Sequence, residues 1–65
     1  MKGVYYMNLI DTAQKYYKAH REAFENWTHG YISEVWIDEN GVLCIRYTDG
    51  IFYHYKIVRN ELVWY

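Results

Sequence analysis

The chain has 65 residues, with seven Lys and Arg against eight Asp and Glu, 52% hydrophobic and 22% aromatic residues, no proline and one cysteine. That length holds one small domain over residues 1–65 and excludes a two-domain enzyme. A net charge of −1 exerts no general pull on nucleic acid or an anionic membrane, and the composition is too apolar for a disordered chain.

A domain of this size hides only about 60% of the surface its unfolded chain exposes. Disulfides, a metal, self-association or heavy core residues normally make up the deficit. Cys44 alone cannot close an intramolecular disulfide. Nine Tyr, three Trp and two Phe supply the mass instead, each ring removing roughly 150–250 Å² from water when buried. No stretch approaches the ~18 apolar residues of a membrane span, and Met1–Met7 is too short for a signal peptide. With its single thiol, the sequence reads as a cytoplasmic protein. Asn26-Trp27-Thr28 has the form of a glycosylation acceptor, which carries meaning only in an exported chain.

Residues 1–7 read as a tail or a short edge strand, with Val4-Tyr5-Tyr6 able to fold back beside the sheet. Residues 8–29 read as a helix. Leu9, Ala13, Tyr16, Tyr17, His20, Phe24 and Trp27 recur at three- and four-residue steps, while Lys15, Lys18, Glu22 and Glu25 take the opposite side. Asn8 or Asp11 caps its start and Gly30 is the natural stop.

Beyond Gly30 the period changes to two, and residues 31–65 read as a β-meander. Tyr31–Ile37, Leu43–Tyr47, Ile51–Val58 and Glu61–Tyr65 are rich in β-branched and aromatic residues. Asp38-Glu39-Asn40-Gly41 and Tyr47-Thr48-Asp49-Gly50 each fit a type I turn closed by a glycine bulge. Arg59-Asn60 makes a tighter two-residue turn, because Asn tolerates positive φ. The expected fold is α+β, with one N-terminal amphipathic helix packed on one face of a four-stranded antiparallel meander.

These turns set the register, and the register sorts the side chains. Val35, Ile37, Leu43, Ile45, Tyr47, Ile51, Tyr53, Tyr55, Ile57, Leu62 and Trp64 share the face the helix covers. Tyr17, Phe24 and Trp27 are expected to bury against Ile45, Tyr53 and Tyr55. Ile32, Glu34, Trp36, Val42, Cys44, Arg46, Phe52, His54, Lys56, Val63 and Tyr65 fall on the open face. One helix covers one side only, and an uncovered apolar area of several hundred Å² marks an interaction surface.

Trp36, Cys44, Arg46, Phe52, His54, Lys56 and Tyr65 are therefore the expected partner-binding residues. Cys44 and His54 are cross-strand neighbours in this register, but a flat sheet offers no pocket for a thiolate nucleophile. No catalytic residue is assigned. His20, His29 and His54 show no zinc-site spacing with Cys44, and Asp38, Asn40 and Asp49 are turn residues and not a calcium loop. No metal or cofactor is expected. His20 lies inside the apolar stripe, where a tyrosine hydroxyl should satisfy it.

The reading is a non-catalytic protein–protein interaction module that forms a homodimer through an edge or the open face. It includes inhibition of a larger host protein, the role of many small tyrosine-rich phage and mobile-element products. The alternative is a single-stranded nucleic-acid binder, with bases stacked on Trp36, Phe52 and Tyr65 and phosphates met by Arg46 and Lys56.

Overall fold

The computed structural model describes residues 2–65, with side chains from Asn8 onward. A helix, α1 (Lys2–Glu22), precedes four strands: β1 (Ile32–Ile37), β2 (Leu43–Tyr47), β3 (Phe52–Val58) and β4 (Glu61–Trp64). The strands form one antiparallel sheet in the order β1-β2-β3-β4, and α1 packs on β1 and β2. The fold is α+β, as the change of period from helix to strand indicates. Residues 2–7, expected as a tail or short edge strand, instead continue the backbone of α1, so the helix begins before the expected caps Asn8 and Asp11; residue 1 lies outside the described residues.

The helix stops at Glu22, seven residues short of the expected 29. Its last turn tightens, with the Ala23 amide donating to the carbonyls of both Ala19 and His20 at 3.2 Å. The chain then turns back on itself. Trp27 donates its indole N–H to the Gly30 carbonyl at 2.7 Å, and its ring sits edge-on to His20 at 4.8 Å and Tyr47 at 5.1 Å. Aromatic packing on the sheet outweighs about two more helical turns through Asn26, Thr28 and His29, which are indifferent helix formers. Phe24 leaves the core as a consequence. Its side chain is 51% exposed, which corrects the expectation that it is buried.

The turns follow the sequence closely. Gly41 (φ 81°) and Gly50 (φ 90°) hold the left-handed bulge positions. Asp38 Oδ1 accepts from the amides of Asn40 and Val42, both at 2.9 Å. Arg59 (φ 52°) and Asn60 (φ 66°) form the tight last turn, the dihedral signature of a type I′ hairpin.

Val35, Ile45 and Tyr53 form one cross-strand row, and Ile37, Leu43, Tyr55 and Trp64 form the next. Three members of the expected faces move or leave the strands. Ser33 is an extra residue between the pairs Ile32–Tyr47 and Glu34–Arg46, so a bulge turns Ile32 onto the core side. Ile51 and Val42 lie in turns outside the strands.

Ala13, Leu43, Ile45, Tyr47 and Tyr55 are the buried apolar centre, with Leu9, Tyr17, Trp27, Tyr53 and Trp64 packed around it. Tyr17 and Trp27 thus keep their core role, although their ring contacts are to Tyr47. His20 is wholly buried among these rings, stacked on Trp64 at 4.2 Å. Its Nδ1 bonds the Tyr55 hydroxyl at 2.7 Å, and Tyr55 bonds the Tyr47 hydroxyl at 2.5 Å. A tyrosine satisfies the buried histidine.

Candidate functional site

The sheet face opposite the helix gathers all seven of the expected site residues. Trp36 pairs with Cys44 and Cys44 with His54, while Tyr65 and His54 exchange backbone hydrogen bonds at 2.9 and 3.1 Å. One row of residues thus crosses the whole sheet. Beside it run Glu34, Arg46 and Phe52, which pair in register. Lys56 lies opposite Val63 on the far side of the row.

The rings form a connected band. Trp36 and Phe52 have centroids 5.4 Å apart, Phe52 and His54 5.6 Å, and His54 and Tyr65 stack at 4.8 Å with planes 4° apart. Phe52 and Tyr65 remain 42% and 57% exposed, well above what side-chain burial in a covered sheet would leave.

The cations on this face are already engaged. The Arg46 guanidinium lies 5.4 Å from the Trp36 ring and 5.1 Å from the Phe52 ring. It also donates from Nε to Glu34 at 3.2 Å and from Nη1 to the Gly50 carbonyl at 3.1 Å. Lys56 places its ammonium 5.6 Å above Tyr65. These contacts stiffen the band, and Glu34 offsets the charge of Arg46.

Beneath the band, Cys44 is fully buried. Its Sγ approaches the Val42 carbonyl at 3.6 Å and Asp38 Oδ2 at 4.0 Å. Burial, and then the Asp38 charge, push the thiol above its ordinary range. An activated nucleophile needs the opposite shift. His54 Nε2 lies 3.7 Å from Asp38 Oδ2.

Asp38 is the residue that sequence reasoning left out of this site, because its role as a turn former explains it fully at that level. The register held the clue. Ile37 pairs with Leu43, so the next residue on β1's end lies diagonally across from Cys44.

A second polar cluster ties the helix–sheet connection to the β2–β3 turn. His29 Nδ1 and Asp49 Oδ2 lie 2.6 Å apart, and the hydrogen bond from His29 holds the Asp49 carboxyl below its usual range. The cluster is structural, since it fastens the chain on either side of Gly30 to Thr48 and Asp49.

Comparison with protein families, with curated proteins and with solved structures found no match.

Proposed function

We propose that the chain is a non-catalytic protein-binding module whose contact surface is the open sheet face. The observation that carries this reading is the connected band of half-buried Trp36 and His54 with exposed Phe52 and Tyr65, on a face without a covering element among the described residues. Tyr, Trp and Arg are the side chains that dominate protein interfaces: the rings bury a large area with few rotors to freeze, and Arg adds a planar fork of donors. Here Arg46 is pre-ordered between two rings, which reduces the entropy lost on docking. A larger protein inhibited by this contact, or a second copy of the chain, meets the same surface.

Trp36→Ala is the direct test. The wild-type chain, used as bait in lysate of its source, should retain a defined protein that the Trp36→Ala chain does not. Capture should survive nuclease treatment and rise in salt. Loss of capture with nuclease, or a steep fall in affinity with salt, would instead identify single-stranded nucleic acid stacked on the same rings.

A further inference from the structure

We propose that Asp38, Cys44 and His54 form a binding site for a divalent ion of the zinc class. The three residues come from the end of β1, from β2 and from β3, and their donor atoms all lie within 4.8 Å of one another. This is the one such grouping of three ligating residue types among the described residues. Thiolate, imidazole and carboxylate together suit zinc and cobalt better than calcium or magnesium, which take oxygen ligands.

The spacing is close to what such an ion requires. Donors on a tetrahedral zinc, with bonds of about 2.0–2.3 Å, stand roughly 3.3–3.6 Å from one another. Here Asp38 Oδ2 is 3.7 Å from His54 Nε2 and 4.0 Å from Cys44 Sγ. A contraction of a few tenths of an ångström brings these two sides to bonding distance, and the third side, from Cys44 Sγ to the His54 ring within 4.8 Å, closes by about an ångström through rotation of the His54 side chain.

The outer contacts orient two of the donors. Asp38 Oδ1 is held by two backbone amides at 2.9 Å, which turns Oδ2 toward the cluster. His54 Nδ1 faces the Tyr65 carbonyl at 3.4 Å. A proton on Nδ1 leaves the lone pair on Nε2, the tautomer a metal-bound imidazole adopts. Cys44 is buried, whereas the Asp38 and His54 side chains keep 19% and 30% exposure, so an ion enters past the carboxylate and the ring. The thiol proton passes to solvent as the sulfur binds. Thiolate and carboxylate then balance the two positive charges, and a fourth position stays open to water. The site shares His54 with the aromatic band, but it needs no protein partner and does not rest on the reading of that band.

Titration of the metal-free chain with Co²⁺ tests the assignment. A thiolate-to-cobalt charge-transfer band should appear and saturate at one ion per chain, and Zn²⁺ should abolish it. Zn²⁺ should also raise the thermal midpoint in a concentration-dependent way. Cys44→Ser should lose the band. His54→Gln and Asp38→Asn should each weaken binding at least tenfold, the Asn keeping an oxygen for the turn amides. In the unaltered chain, the His54 Nε2 resonance should shift on Zn²⁺ addition, a readout independent of how well any variant folds. Absence of a saturable band, an unmoved His54 resonance, or unchanged affinity in both the His54→Gln and Asp38→Asn chains would overturn the site.

Discussion

At the scale of single residues, His20 decides how the core behaves. Its Nδ1 bonds Tyr55, but Nε2 has no hydrogen-bond partner and lies in a cage of rings that includes Trp27, Tyr53 and Trp64. The neutral form with a proton on Nε2 fits best. Tyr47 then donates to Tyr55, Tyr55 donates to Nδ1, and the Nε2–H faces aromatic density. Burial, helped by His29, lowers the His20 pKa from 6.5 to about 4. The unfolded chain therefore binds a proton that the folded chain refuses between those two values, and stability falls as pH drops from 6.5 toward 4. The full shift corresponds to about 3 kcal/mol, and solvent relaxation around so small a core realises only part of it. Urea midpoints measured across that window should decline with acid, and His20→Phe should flatten the slope. An equal decline in the Phe variant would place the titration elsewhere. Tyr55→Phe is the matching test at neutral pH. It strips a partner from both His20 and Tyr47 and should cost roughly 1–3 kcal/mol, whereas retention of the wild-type midpoint would mean that the hydroxyl chain adds nothing.

At the scale of elements, what the sequence made legible was local chemistry. The glycine-closed turns, the two-residue Arg59-Asn60 turn and the alternation of faces follow from residue types a few positions apart, and the strands sit in the register those turns impose. What was not legible depended on contacts distant in sequence. The helix gives way after Glu22 because Trp27 packs onto Tyr47, and the Ser33 bulge flips Ile32 because that chain segment meets the β2–β3 turn. Asp38 joined the site for the same reason, through a diagonal neighbour on another strand. The glycines separate the two kinds of information experimentally. At Gly41 and Gly50 an added Cβ meets nothing within 4 Å, so substitution by Ala carries only the backbone strain of positive φ, about 1–2 kcal/mol. At Gly30 (φ 83°) the Cβ would fall 2.0 Å from Thr48 Oγ1, which itself bonds the Tyr31 amide and the His29 carbonyl. Gly30→Ala should therefore be the most damaging of the three in denaturant unfolding. A ranking with Gly41→Ala or Gly50→Ala below it in stability would show that the connection yields freely around Thr48.

At the scale of the whole molecule, the balance between one helix and a two-faced sheet governs what the chain does next. The helix packs on β1 and β2, while the opposite face keeps its aromatic band in water and β3 ends with Ile57 and Val58 half exposed. With a net charge of −1, little long-range repulsion opposes the approach of a second copy. A two-fold pairing of open faces would bury the aromatic bands of both copies, and Glu34 would accompany each Arg46 into the contact. Pairing through β1 is less favourable, because the Ser33 bulge interrupts that edge. The expected outcome of sedimentation at micromolar concentration is thus a species of twice the 8.0 kDa chain mass. The Trp36→Ala, Phe52→Ala double variant should return it to a single chain while keeping its far-ultraviolet circular dichroism, since neither side chain belongs to the buried core. A wild-type species at 8.0 kDa would reserve the band for a different protein, and a double variant that stays dimeric would move the contact to a sheet edge.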